Sequence, residues 1–495
     1  MLIRLIILAL MLAAICGAGA ADEKKVIRLS LEECIERAMR KNLDVEIARI
    51  NPRLARYSLD LARTSYDPFF RAGATHSSSS SPGGVDEENR FFLGTETEDD
   101  RFNTGFGGQF PIGLSYDLSG NVSNRRGSSA AFPFENSSGS IRLNVTQPLL
   151  KNFLIDGIRL NIKQRKTDLL NSEIGFRRQI IGIVTAVELA YYGLISAREQ
   201  LAVRRDALIL SEKSYAGDKR KVEEGIKPSD DLKRSGAEVA RVRADVNTAI
   251  RSVKSAEYNL IQVISDDVQS MDLATIEPTE KIQAVKQPLD RHVSWGRGLR
   301  MRLDLQQSRN NLENVGLTLR YNKNQLLPQL DFQATLGRSA ANKEYPGVFS
   351  SLSKGDSPFW SYGAILRMPL GNRSARLRYK SEKLRYEGRV LDLKKLEQSI
   401  MVDIAIEVDR ALGAFEQVEL SRQARELAEQ ALESEEKQLE FGKSSSYQVQ
   451  QLQRDLTTAR SREVSSVIDY NRALARLAQA EGTTLERHKI DVESE

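Results

Sequence analysis

Residues 37–75 read RAMRKNLDVEIARINPRLARYSLDLARTSYDPFFRAGAT, and residues 297–335 read RGLRMRLDLQQSRNNLENVGLTLRYNKNQLLPQLDFQAT. A shift of 260 places superposes Arg37 on Arg297, Arg40 on Arg300, Leu43 on Leu303, Asp44 on Asp304 and Arg49 on Arg309 without a gap. Farther along it superposes Leu59 on Leu319, Pro68 on Pro328, Ala74 on Ala334 and Thr75 on Thr335. In both copies a charged helical run stops at the proline and an alternating, strand-like segment follows. A duplication of long period signals repeat architecture. Here it predicts two interleaved structural repeats, residues 21–280 and 281–495, each crossing from helix to strand at the same point.

Ahead of the first copy, Arg4, the apolar run Leu5 to Ile15 and the small residues Ala18-Gly19-Ala20 read as a secretory signal over residues 1–20. Ile15 is a poor residue before a lipidated cysteine, so lipidation at Cys16 is not expected. The only other cysteine is Cys34, expected to pack as a small hydrophobe. Beyond the signal no uninterrupted run of eighteen apolar residues occurs, which argues against a membrane-spanning helix. Export then leaves the periplasm, the medium or an outer-membrane barrel. The 72 basic and 67 acidic residues are mixed along the chain. They read as solvated helix faces, with no nucleic-acid partner.

Proline divides the chain. None falls between Pro148 and Pro228, between Pro228 and Pro278, or after Pro369. Because proline costs about 3 kcal/mol inside a helix, these gaps permit long helices. Val239, Val242, Val246, Ala249, Val253, Ala256, Leu260 and Val263 recur at alternating steps of three and four, as do Val449, Leu452, Leu456 and Ala459 and then Tyr470, Ala473, Leu477 and Ala480. That is a coiled-coil seam, or equally the stripe of a helical bundle. By contrast, residues 67–149 and 328–370 hold 16 of the 32 aromatic residues in about a quarter of the length, and segments such as Ile141-Arg142-Leu143-Asn144-Val145-Thr146 alternate at period two. Alternating segments of ~10 residues are the signature of tilted outer-membrane strands. Tyr66, Phe69, Phe70, Phe359, Trp360 and Tyr362 lie near their ends, where an aromatic girdle belongs. Ser77 to Ser81, Pro82-Gly83-Gly84 and the acidic run to Asp100 read as an external loop.

Lengths tie these parts together. The runs 152–222 and 372–441 would each reach ~105 Å as helix. Each turns at a glycine and returns along a shorter helix, Ser229 to Ser265 or Ser446 to Glu481. The ascending helices Asp44 to Tyr66 and Asp304 to Leu327 make up most of the difference. Leu31 to Lys41, His292 to Met301 and the link from Asp266 to Pro288 would fill the remaining gap as a belt. Pro52 predicts a kink or a late start in the first ascending helix. Each half supplies only a few strands, and an open sheet cannot span lipid because its edges leave backbone groups unpaired. Several identical chains must therefore share one barrel.

With these features the chain resembles the TolC family of outer-membrane efflux and secretion channels. The resemblance rests on Leu29-Ser30-Leu31-Glu32-Glu33 with Asn42-Leu43-Asp44, and on Asp67-Pro68 and Leu327-Pro328-Gln329-Leu330. It extends to Gln147-Pro148-Leu149, Met368-Pro369-Leu370, and the turns Gly225-x3-Ser229-x2-Leu232 and Gly442-x3-Ser446-x2-Val449. It implies a mainly α protein with membrane β structure: a homotrimer with a twelve-stranded outer-membrane β-barrel on a long α-helical coiled-coil barrel in the periplasm. It also implies partners, namely a periplasmic adaptor (membrane fusion) protein, an inner-membrane transporter of an efflux or type I secretion system, and outer-membrane lipid. Residues 103–122 predict an additional hairpin turning at Pro111-Ile112-Gly113. An extra hairpin in the barrel preserves up–down parity and would give eighteen strands from three chains; four strands per chain, with that hairpin at the rim, is the favoured expectation.

The resemblance places a periplasmic gate at the helical turns. Where the family carries an acidic pair six and nine residues after the second turn glycine, this chain has Gln448 and Gln451. Asp231, preceded by Asp230, matches positions that tie neighbouring helices shut. Their basic partner's position is taken by Ser444, with Lys443 or Lys227 as substitutes. Gly225, Ser229, Gly442 and Ser446 would form the hairpin tips that dock on an adaptor, although Ser229 and Ser446 also read as plain N-caps. No nucleophile–base pair, phosphate loop or ligand spacing around His76, His292 or His488 points to an enzyme, cofactor or metal. The rival reading is a periplasmic coiled-coil structural or adaptor protein with a soluble β-domain.

Overall fold

The computed structural model describes residues 26–129, 132–267, 269, 275–355 and 357–491. The expected signal at 1–20, with Cys16, lies outside them. Two compact units each draw on both halves of the chain: one holds residues up to Asn51, Glu173–Gln306 and from Lys395, the other Pro52–Ser172 and Gln307–Lys394.

In chain order, β1 (Val26–Leu29), α1 (Leu31–Lys41) and α2 (Leu43–Arg63) precede β2 (Phe69–Ser81), the two-residue strands β3 (Gly84–Val85) and β4 (Phe91–Phe92), β5 (Thr95–Gln109), β6 (Ser115–Ser129) and β7 (Phe132–Pro148). Then come α3 (Gly157–Glu223), α4 (Ser229–Ile264), β8 (Thr275–Pro278), α5 (Arg291–Met301) and α6 (Leu303–Asn324). The chain closes with β9 (Gln329–Asn342), α7 (Tyr345–Lys354), β10 (Pro358–Arg367), α8 (Arg373–Glu440), α9 (Ser446–Glu481) and α10 (Thr484–Arg487). The two long helices have 67 and 68 residues, each ~100 Å, and both returning helices have 36. Helix α2 begins at Leu43 and runs through Pro52, so of the kink or late start expected there the late start does not occur.

In the first unit the core gathers on the apolar stretch Ile180–Ala197 of α3. This stretch is long and apolar enough to cross a membrane, but 61% of it is buried inside the protein. Ile180, Val184, Val187, Tyr191 and Leu194 pack against Ile35 and Ala38 of α1 and Leu260 and Ile264 of α4. The Tyr191 hydroxyl donates to the Leu29 carbonyl at 3.2 Å. Cys34 sits in this core fully buried, and burial pushes its thiol up to about 12, which suits an inert hydrophobe. Seam residues Val242, Val246, Val253 and Leu260 are buried, as are Val449, Leu456, Tyr470, Ala473 and Leu477. Of the expected belt segments, α1 lies on this core and α5 sets Gly298 against Ile400 and Ile404 of α8. Each of these helices has an N-cap: Ser30 in a capping box with Glu33, and Asp290 accepting from the Val293 amide. The parallel pair β1–β8 was not foreseen. Runs of four residues are too short to display a period.

In the second unit a six-stranded sheet runs in the order β10-β9-β7-β6-β5-β2, every neighbour antiparallel, and β3 and β4 form a separate antiparallel pair. This corrects two expectations. The 103–122 hairpin is not a rim decoration: β5 and β6 turn at Phe110–Leu114 and pair along their whole length inside the sheet. The chain therefore carries six strands rather than four, and a twelve-strand total from three copies does not follow. Ser77 to Ser81 is strand rather than loop, laddered to Thr95–Asp99. Serine's weak strand propensity yields to that backbone pairing. Below the sheet, the first turns of α3 are stitched to α6: Asn171 donates to Asn311 at 2.8 Å, and Asn310 donates back to Asn171 at 3.0 Å.

Candidate conduit wall and helical tips

The registers are free of bulges, so each strand residue can be assigned to one face by parity. One face carries Phe70 of β2, Phe102 and Phe106 of β5, Leu118 and Val122 of β6, Ile141 and Leu143 of β7, Phe332 and Leu336 of β9, and Trp360, Tyr362 and Leu366 of β10. Phe70, Leu336, Trp360, Tyr362 and Leu366 are 60–72% exposed in the single chain. Charge returns to this face toward the β2–β5 turn, where His76 meets Asp100 and Arg126 meets Glu98, each at 2.6 Å. Helix α7 covers part of this face, with Tyr345 edge-on to Phe102 and Val348 over Gly139; the rest is an apolar surface bounded by ion pairs, the character of a membrane-facing band. The six strands have 10 to 17 residues, enough for tilted strands to cross a bilayer, which needs ~9–11.

The opposite face is hydrogen-bonded and polar. Thr335 donates to Asn144 at 2.9 Å, Ser123 and Ser138 lie 3.0 Å apart, Ser140 bonds Asn121, and Arg71 pairs with Asp117 at 2.6 Å. Two residues of the expected girdle fall here instead. Phe69 lies under the Arg71 guanidinium and Phe359 under that of Arg142, each with the cation 6.0 Å from the ring centroid. Phe359 reaches Arg142 by lying across Gly337, where a Cβ would collide with its ring. Phe70, Trp360 and Tyr362 keep the outward position. Parity alone separates the two sets.

The first unit contains the two helical turns. Gly225 and Gly442 both have φ of +73°, and each is followed by an amide that reaches back five residues, Ile226 to Lys221 and Lys443 to Gln438. This is the left-handed helix stop that glycine adopts at least cost. The N-cap of α9 is Ser445, which accepts from the Gln448 amide, and α4 is preceded by Pro228, so Ser229 and Ser446 are not the caps. Ser446 is released to join the other hairpin: Lys227 bonds both it and Asp218, the latter at 2.7 Å. Lys227 thus serves Asp218 rather than Asp230 or Asp231.

The remaining expected gate residues divide. Among the described residues Asp230 pairs only with Lys233 of its own helix at 3.0 Å, both well exposed, a contact worth little. Asp231 lines a groove of about 320 Å³ with Ser446, Tyr447 and Arg454 from the second hairpin. Among the described residues Ser444 bonds Glu435 rather than an aspartate, while Gln448 and Gln451 are exposed, with Gln451 donating to Asp455 at 3.3 Å. A stronger tie was not visible in the sequence. Glu238 of α4 is 8% exposed and accepts from Arg241 and from Arg454 of α9, each at 2.6 Å. Burial pushes its carboxyl up, but the two arginines outweigh this and hold it below the ordinary glutamate value of 4.5. Lys227→Ala is expected to leave Asp218 a buried, under-paired charge and to cost about 2 kcal/mol, read as a lower urea midpoint.

A family model described as outer membrane efflux protein matches residues 108–265 and 297–483. The chain belongs to the outer membrane efflux protein family. It is accordingly an outer-membrane channel component of tripartite efflux systems, with its helical portion in the periplasm. That sets aside the soluble adaptor reading. Solved structures share the fold at low identity. VceC of Vibrio cholerae aligns at 17% identity and TM-score 0.66 over 91% of this chain and 96% of its own. CmeC of Campylobacter jejuni gives 14% and 0.65 over 94% and 91%, and open-state MtrE of Neisseria gonorrhoeae 16% and 0.65 over 92% and 89%. A comparison with curated proteins found no match.

Proposed function

We propose that three copies of this efflux family member close one barrel from edge strands β2 and β10 and together form a passive exit duct without catalysis. The carrying observation is the sheet itself, apolar on one face, polar on the other, and open at two antiparallel edges. Closing those edges removes the unpaired backbone groups that lipid would not tolerate. Six strands from each of three chains make eighteen. Barrel diameter grows roughly linearly with strand number, so the pore would be about half again as wide as a twelve-stranded one. The duct would receive cargo through a periplasmic adaptor and an inner-membrane efflux or type I secretion transporter. Docking would use the tips at Gly225, Ser229, Gly442 and Ser446, with closure by the Asp231 groove and the Glu238–Arg454 tie. The two repeats, 21–280 and 281–495, would each supply one hairpin and part of the barrel. Detergent-extracted protein should run as a heat-modifiable particle of three chains and conduct ions across planar bilayers. A stable monomer, or recovery wholly in aqueous periplasmic extract, would overturn this reading.

A further inference from the structure

We infer that the polar wall of the sheet favours anions and that the duct's preferred cargo is organic anions bearing carboxylate, sulfate or phosphate. The inference rests on the polar face being the water-filled lumen of the proposed duct. By register, that face of the six strands carries Arg71, Arg101, Arg125, Arg142 and Arg367 against Asp99, Asp117 and Asp331, a net of +2 per chain. Pairing leaves this balance in place, with Arg125, Arg142 and Arg367 remaining against Asp331 alone. Asp117 is held by Arg71 and Asp99 by Arg101, both at 2.6 Å, while Asp331 accepts from Gln329 at 2.6 Å.

One row crosses all six strands as Arg71, Gly105, Ser119, Arg142, Gly337 and Phe359. Arg71 of this row is already paired with Asp117, whereas Arg142 stands between Ser119 and Gly337, with no bulky neighbour on either side. Arg142 lies over the Phe359 ring rather than against a carboxylate. Stacking on an aromatic face leaves the edge of the guanidinium free for the planar, two-point recognition of an oxyanion. Three copies would set three such Arg142 side chains around the wall of one water-filled passage, whose low-dielectric protein sides concentrate their field. The tip adds no opposing ring at Gln448 and Gln451, which are neutral. The acidic residues of the sheet's other face, Glu96, Glu98, Asp100 and Glu135, are turned away from the lumen by the strand alternation.

The test is the reversal potential of the full-length protein in planar bilayers under a KCl gradient. Chloride should permeate better than potassium, and Arg142→Gln with Arg125→Gln should lower that preference by about 2-fold or more. Arg126→Gln removes one positive charge from the opposite face and should leave the reversal potential in place, whereas Arg142→Gln alone should move it. Heat-modifiable migration of each variant confirms assembly before recording. A potassium-selective wild-type channel, or a preference unmoved by the paired substitution, would overturn the inference. Assembled protein that conducts no ions at all would instead overturn the duct reading on which it rests.

Discussion

Arginine at Leu336 is expected to remove the chain from the outer membrane, whereas arginine at the adjacent Thr335 is expected to leave it there. Leu336 stands in the middle of the apolar face, between Leu143 of β7 and Trp360 of β10, and is 60% exposed in the single chain. An arginine at the bilayer midplane of a barrel costs about 2–4 kcal/mol. Three copies incur that cost three times, which is comparable with the whole stability of a typical domain. Thr335 points the other way, its hydroxyl donating to Asn144. Replacing it forfeits one hydrogen bond, about 1 kcal/mol, and puts the new charge in water. Outer-membrane fractionation and heat-modifiable migration read both variants. Equal behaviour of the two would show that the faces have been assigned wrongly.

Arg454→Ala is expected to open the periplasmic tip, raising single-channel conductance severalfold. Arg454 is the only partner of Glu238 from the second hairpin among the described residues, so its loss severs a crossing between hairpins. Glu238 keeps Arg241, and both arginines are about half exposed. The stability cost is therefore modest, about 1–2 kcal/mol, and the protein should still assemble. The tie also sets a pH dependence. The folded carboxyl titrates below its ordinary value, so its stabilisation is complete above the ordinary glutamate range and is lost as pH falls through the folded value. Wild-type conductance should accordingly rise on acidification below the ordinary glutamate value, while Arg454→Ala is already open at neutral pH and responds less. Recordings that superpose at all pH values would remove this pair from the gate.

The long elements were legible because they obey one local rule each. The returning helix Ser446–Glu481 has the ends expected for it, since a glycine stop and a serine start bracket a proline-free run that continues to the next glycine. The β5–β6 hairpin was readable from alternation around Pro111-Ile112-Gly113, but whether it joined the sheet was not. Strand pairing is a choice among partners far apart in sequence, and β7 takes β9 across nearly 200 residues. The outward role expected of Phe69 and Phe359 failed for a related reason. Aromatic enrichment marks a strand end, yet one step of register decides which face receives the ring.

By itself, then, the order of residues determined the duplication, the lengths of the helices, their glycine turns, and the presence of strands too few to close alone. Each follows from backbone preferences acting within a turn or a strand. Only the tertiary structure decided that six strands share one sheet, that Lys227 reaches Asp218 and Ser446 rather than the expected aspartates, and that Glu238 meets Arg454. Those outcomes depend on which distant groups a packed core and a paired ladder bring within hydrogen-bonding distance, and local sequence does not encode that distance.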